Sequence, residues 1–154
     1  MVSILPFQPQ HQAVFKKINL EWLDRYHLTE SHDLMVLNDP QATIIGRGGY
    51  LWLAQSEGEI VGSAALMKEH DGVYELAKMC VIESFRGKGV ATLLIEQCLQ
   101  KAKELRAKKL LLFSNHQLEA ALKLYEKHGF RHIAVENSPF STADVKMELV
   151  LQSD

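Results

Sequence analysis

The segment Cys80-Val81-Ile82-Glu83-Ser84-Phe85-Arg86-Gly87-Lys88-Gly89-Val90-Ala91 constrains this chain most, because a strand-like run passes through two glycines straight into a helical stripe. Downstream, Ala91, Leu94, Ile95, Cys98, Leu99, Ala102 and Leu105 recur at the i, i+3, i+4, i+7 spacing of one helix face. A strand, a glycine turn and a helix N-terminus in this order present backbone N–H groups and the positive end of a helix dipole, which suits an anion. Glycine permits positive φ and close approach of a ligand to the backbone. Arg86 and Lys88 add charge at the rim. The same residues would also serve a plain strand-to-helix turn with solvated basic side chains, and the loop alone does not decide between the two.

Two phosphate-loop patterns fail. A Walker A loop needs G-x-x-x-x-G-K followed by Ser or Thr; here Ile82 stands at the first glycine position and Gly89 follows Gly87-Lys88. The dinucleotide fingerprint G-x-G-x-x-G ends here on Thr92, and the preceding strands are joined as hairpins rather than βαβ crossovers.

The rest of the pattern predicts strand, helix, short helix, three strands, helix, strand, helix, two strands. Val2–Phe7 reads as a strand. Val14, Phe15, Ile18, Trp22, Leu23 and Tyr26 give an amphipathic helix over Pro9–Tyr26, and a short helix near Asp33–Leu37 stops before Pro40. Tyr50–Ala54, Glu59–Lys68 and Val73–Ile82 alternate with the turn residues Glu57-Gly58 and Asp71-Gly72, predicting two consecutive hairpins. Lys109–Ser114 is an apolar strand. Gln117–His128 is a second amphipathic helix stopped at Gly129, after which a strand over Phe130–Val135 must run roughly parallel to the one before it. Asp144–Leu151 is the last strand.

Composition narrows the function classes. The 154 residues are 47% hydrophobic and 23% charged, enough to bury about two-thirds of the unfolded surface. With 17 Lys plus Arg against 19 Asp plus Glu, the chain has no broad basic field for nucleic acid. Cys80 and Cys98 lie far apart in apolar stretches without a CxxC pair, which predicts two buried thiols in a reducing compartment rather than a disulfide or zinc ribbon. His128 and His132 straddle Gly129, and no HExxH or matching carboxylate cluster accompanies them, so no metal is expected. No run approaches the ~18 apolar residues of a membrane span. The N-terminus lacks a basic, then apolar, leader pattern, and no repeat or linker divides the sequence. The expectation is one cytoplasmic domain over residues 1–154.

Arg86-Gly87-Lys88-Gly89-Val90-Ala91 fits R-x-x-G-x-A after Met79-Cys80-Val81, and so resembles motif A of the GNAT N-acetyltransferase superfamily. Leu110-Leu111-Leu112-Phe113-Ser114-Asn115, followed by Ala121 to Phe130, resembles its motif B. The likeness covers about residues 50–135. It implies an α/β (α+β) acyltransferase fold, a mixed and largely antiparallel sheet flanked by helices on both faces, with a cleft where two parallel strands part. It further implies acetyl-CoA as co-substrate and a small-molecule or peptide amine as acceptor, and leaves room for a homodimer. A non-catalytic acyl-CoA-binding or regulatory domain is the alternative.

Transfer to an amine requires holding an anionic co-substrate, deprotonating an ammonium, stabilising an oxyanion and protonating a thiolate. The backbone N–H groups of Arg86, Gly87, Lys88, Gly89, Val90 and Ala91 are expected to take the pyrophosphate. By the family's pattern, the backbone of Met79, Cys80 and Val81 pairs with the pantetheine arm and donates to the thioester oxygen. Tyr125 continues the stripe of Leu118, Ala121 and Leu122, and spacing alone favours a core tyrosine; its match to the family tyrosine proposed to protonate the thiolate reverses that preference. Asn115 stands where the family has a cofactor contact; as a helix N-cap it has equal weight. Glu75 is the expected base, directly or through water, against the alternative of a solvent-facing strand residue or a partner for Lys78. Strict alternation places Glu75 on one face with Ala77, Met79 and Val81, opposite Lys78. Trp22, Arg25, Tyr26, His27, Glu30 and residues 136–143 approach the acceptor by analogy, and their mixed character selects no substrate.

Overall fold

The computed structural model describes residues 1–152. Seven strands form one open sheet in the order β1-β2-β3-β4-β5-β7-β6. They are β1 (Val2–Pro6), β2 (Tyr50–Ser56), β3 (Glu59–His70), β4 (Val73–Val81), β5 (Lys109–Ser114), β6 (Arg131–Ile133) and β7 (Val145–Val150). The helices are α1 (Gln12–Arg25), α2 (Ser31–Asn38), α3 (Pro40–Thr43), α4 (Val90–Glu104) and α5 (Glu119–Lys127). Neighbouring strands pair antiparallel except β4 and β5, which run parallel.

The two expected hairpins form as the turn residues dictate. Glu57 and Gly58 both take positive φ between Ser56 and its partner Glu59, the twist that lets two antiparallel strands continue without splaying. Pro40 ends α2 and also opens α3, at a position where its missing N–H costs no bond. The strand after α5 does run in the direction of β5, but β7 is inserted between them, and only Arg131–Ile133 of the expected Phe130–Val135 is paired. Residues beyond Ile133 leave the sheet for a loop that crosses to α2.

Alternation along the strands builds a core on each face. Trp52, Ala54, Leu66, Leu76, Leu110 and Leu112 pack with Leu94, Ile95, Cys98 and Ala102 of α4 and Tyr125 of α5. Leu51, Leu53, Ala65 and Cys80 pack on the opposite face with Phe15 and Ile18 of α1 and Val36 and Leu37 of α2. The layers are therefore helix, sheet, helix. Cys80 and Cys98 are free and buried on opposite faces. Each fully buried leucine or isoleucine of the α4 stripe contributes about 1.5–3 kcal/mol through removal from water.

Gly62 sets how closely α4 approaches the sheet. A Cβ there would lie 2.9 Å from the Cys80 carbonyl oxygen and 3.1 Å from a methyl carbon of Leu94. Only glycine lets the first turn of α4 settle onto β3, and that settling fixes the glycine loop at the end of β4.

Candidate active site

The loop leaving β4 is a cradle of backbone N–H groups. Glu83–Phe85 form a 3-10 turn, Gly87 and Gly89 take φ of 73° and 82°, and α4 begins at Val90. Among the described residues, the N–H groups from Gly87 to Thr92 have no acceptor, as expected for a helix start preceded by a left-handed turn. A Cβ at Gly87 or Gly89 would meet nothing within 4 Å, so these glycines serve backbone conformation and open access rather than packing. The cradle begins one residue later than the sequence suggested: the Arg86 N–H donates to the Glu83 carbonyl at 3.2 Å. The Arg86 side chain turns back, donating from Nε to the Val81 carbonyl at 3.3 Å with its guanidinium 4.6 Å from the centre of the Trp22 ring. Lys88 lies over Phe85 at 5.1 Å.

β4 and β5 part immediately upstream of this cradle. They pair only through Val73–Glu75 against Lys109–Leu111, and β4 then continues to Val81 with its β5 side open. The Ile82 N–H donates back to Val61 on β3, so alternation turns the peptide groups of Met79 and Val81 toward the gap. With the Val81 carbonyl occupied by Arg86, the Met79 N–H and carbonyl and the Val81 N–H remain. The Cys80 side chain points the other way, into the α1 core, where burial pushes its thiol up to about 11 and leaves it a poor nucleophile.

A bulge in β4 changes which side chains share a face. The β3–β4 register shifts between Ser63 and Ala65, and Lys78 takes φ of 51°. Tyr74 and Leu76 belong to the α4 core, which places Glu75 on the α1 face, whereas Val81 and Met79 pack on the α4 side. The strict alternation that grouped Glu75 with Met79 and Val81 is therefore corrected: one extra residue reverses the pattern beyond it. The bulge is held by Ser63 Oγ, which donates to the Lys78 carbonyl at 2.7 Å, and by Asn19 of α1, which donates to Ser63 Oγ at 3.0 Å.

Consequently Glu75, Lys78, Met79, Asn115 and Tyr125 line one cleft at the parting of the strands. Glu75 is 5% exposed and not solvent-facing. Burial pushes its carboxyl up to about 8, the neighbouring Glu69 adds to the rise, and Lys78 works against it. Tyr125 is 8% exposed, edge-on to Phe130, and burial raises its phenol well above the ordinary tyrosine range. Asn115 is buried and holds the turn ahead of α5 rather than capping the helix, which starts at Glu119 with Leu118 as its N-cap: its Oδ1 accepts from the Gln117 N–H at 3.0 Å, while Nδ2 donates to the Thr142 carbonyl at 2.8 Å.

Two parts of the site escaped the sequence. Asp33 of α2 pairs with Lys78, both side chains nearly wholly buried, and its other carboxylate oxygen accepts from the Glu30 N–H at 2.9 Å. The loop before β7 roofs the cleft with Phe140 and Thr142. Glu30 ties that roof down, accepting from the N–H and hydroxyl groups of both Ser141 and Thr142. Burial opposes its ionisation, yet these bonds hold its pKa at about 2. The short helix near Asp33 was legible; the partners that Glu30 and Asp33 find 112 and 45 positions along the chain were not.

A family model described as the acetyltransferase (GNAT) family matches residues 14–130. Over 89 residues the chain is 39% identical to N-acetylaspartate synthetase of Xenopus tropicalis, covering 57% of this chain and 33% of that protein. It is 36% identical over 89 residues to the uncharacterized N-acetyltransferase YjgM of Escherichia coli K12, covering 56% and 53%. The chain thus spans about half or less of the length of these relatives. An acetyltransferase of the GNAT family from Staphylococcus aureus superposes with a TM-score of 0.91 at 18% identity, covering 99% of this chain and 100% of the other. The PaiA N-acetyltransferase of Thermoplasma acidophilum, solved in complex with coenzyme A, superposes with a TM-score of 0.77 at 12% identity, covering 98% and 99%.

Proposed function

Because this chain belongs to the acetyltransferase (GNAT) family, we propose that residues 1–154, acting as one domain, transfer acetyl from acetyl-CoA to the primary amine of an acceptor by direct attack in a ternary complex. The observation that carries the reading is the cleft that joins Glu75, Tyr125 and the open edge of β4 beside a cradle of free N–H groups. The residues present suit a long anionic thioester. Unpartnered N–H groups from Gly87 to Thr92 suit a pyrophosphate, and the unpaired Met79 and Val81 peptides suit an extended arm laid alongside β4. Acetyl-CoA, when bound, supplies an activated acyl group with a thiolate leaving group.

Each remaining demand falls on a named group. Peptide N–H groups of Met79 and Val81 would donate to the carbonyl oxygen as charge gathers on it. Glu75 would take the ammonium proton, directly or through water. Its raised pKa narrows the gap to an amine of pKa near 10, making it a stronger base than an ordinary carboxylate once ionised. Tyr125 stays protonated throughout the working range. A tyrosine already lies above a thiol of pKa ~8.5 and burial widens the gap, so its role is to donate a hydrogen bond to the departing sulfur, with full transfer only as sulfur charge develops. Asn115 would act chiefly by fixing the turn ahead of α5 and the roof loop.

The direct test is the thermal shift of the protein with acetyl-CoA, CoA and NADH, followed by CoA release with amines. A rise in Tm with the first two but not NADH, and amine-dependent CoA release, is the expected result. No shift at millimolar acetyl-CoA removes the assignment; a shift without release for any amine leaves an acyl-CoA-binding domain.

A further inference from the structure

The charges of the cleft select its acceptor. Among the described residues lining it, the titratable side chains on the acceptor side are Asp33, Glu75 and Lys78. Lys78 is the one cation, and it is already consumed. Its ammonium donates to Asp33 Oδ1 with both side chains nearly wholly buried, and it lies 5.2 Å from the centre of the Phe140 ring. Asp33 is equally committed, its other oxygen holding the Glu30 N–H at the start of α2. That leaves Glu75 as the single carboxyl without a fixed cationic partner. The wall of the cleft carries the apolar side chains of Trp22, Leu23 and Leu28 from the α1 side and Phe140 from the roof, beside the polar Asn19, Asn115 and Thr142, of which Asn19 is taken up by the Phe15 carbonyl and Ser63.

Two consequences follow. An acceptor ammonium entering beside Glu75 finds a carboxyl to which it can give its proton. A carboxylate on the same carbon as that amine would be stripped of water within a few ångströms of Glu75, with no free cation to receive it, and an unpaired buried charge costs several kcal/mol. The arginines nearest the cleft do not supply one. Arg25 and Arg86 lie in a separate hollow on the far side of Trp22, Arg25 paired with Glu83 at 3.1 Å and Arg86 stacked on the Trp22 ring.

Resting on the acetyltransferase reading above, we propose that the acceptor is a primary amine with an apolar body and no carboxylate on its amine-bearing carbon, selected by the Asp33–Lys78 pair, which takes up the one cation that the described residues lining the cleft could offer an amino acid. Trp22, Leu23, Leu28 and Phe140 would hold the apolar body, and Glu75 would receive the ammonium.

The test uses two probes that differ by one group, 2-phenylethylamine and phenylalanine, with CoA release measured at saturating acetyl-CoA. The expected kcat/KM favours 2-phenylethylamine by on the order of a hundredfold, the scale on which a site rejects a charge it leaves unpaired. Asp33→Asn keeps an oxygen for the Glu30 N–H but releases Lys78, and is expected to narrow that preference by at least about tenfold, each tenfold being ~1.4 kcal/mol. Equal use of both amines by the native protein, or preference for phenylalanine, overturns the proposal. So does turnover of neither when acetyl-CoA still raises Tm. Absence of any acetyl-CoA-dependent rise in Tm instead overturns the acetyltransferase reading itself, so the two failures are told apart. If Asp33→Asn does not fold, the native protein's preference decides.

Discussion

Lys78 stands in left-handed backbone at the bulge of β4 and donates its ammonium to Asp33 of α2, a residue 45 positions away, with side chains only 6% and 3% exposed. The pair couples the strand that must stay open on its β5 side to the helix that closes the other face of the cleft. A positive φ at a non-glycine residue is strained, and it persists here because Ser63 and Asp33 both hold what the bulge presents.

Lys78→Met should therefore cost more than a surface ion pair. Removing the ammonium leaves Asp33 buried without a counter-charge, and breaking such a pair typically costs 3–5 kcal/mol, about a third or more of a domain's stability. Urea unfolding should show the loss, and the double change Lys78→Met with Asp33→Leu should recover much of it, since a buried pair replaced by apolar groups is often near neutral. A single variant as stable as the native protein would show that the pair is solvated in solution.

How much of this was legible follows from the range of the interactions. The α4 stripe, both hairpin turns and the glycine loop are encoded within a few residues, and each stands where the sequence put it, apart from the Arg86 N–H, which the loop's own turn consumes. Glu75 and Tyr125 reach one cleft because motif order fixes the strands and helices that carry them. The bulge at Lys78 was not legible, since lysine carries no signal for positive φ, and strict alternation then misplaced Met79 and Val81 relative to Glu75. Asp33 was invisible as a partner for the same reason that Glu30 was invisible as the roof's anchor: the contacts span 45 and 112 positions, and nothing local announces them.

Gly89→Val should separate the cradle from the core. A Cβ at this position has open space, so the cost to folding is that of a β-branched residue at φ of 82°, about 1–3 kcal/mol. Relief of that strain by rotating the peptide would turn N–H groups away from the anion. The expected outcome is a folded protein with native far-UV circular dichroism and no stabilisation by CoA. Retained CoA affinity would remove the loop from the binding site.

Glu75 makes two pH predictions of opposite sense. As a base it must be ionised, so turnover should rise with pH through about 8, and Glu75→Gln should lower turnover and abolish that rise. For stability, a carboxyl whose folded pKa exceeds its unfolded value binds more protons when folded between the two. Its contribution is full below about pH 4.5 and is lost as pH climbs to about 8. Native stability should thus fall across this window relative to Glu75→Gln. Parallel stability curves for the two proteins would show that Glu75 ionises normally.

Tyr125→Phe isolates the hydroxyl from the ring. The ring packs on Phe130 and within the α4 core, and phenylalanine keeps that packing, so stability should change by less than about 1 kcal/mol. In the proposed role the hydroxyl would meet the sulfur only as the carbon–sulfur bond breaks, so its loss should lower kcat and kcat/KM together by on the order of 10²-fold while the CoA-induced rise in Tm stays the same. A thioester with a more acidic thiol needs less help in leaving, and should narrow the gap between Tyr125→Phe and the native protein. If the gap is the same for both thioesters, Tyr125 acts before or after bond breaking, by shaping the cleft rather than by assisting the departing thiolate.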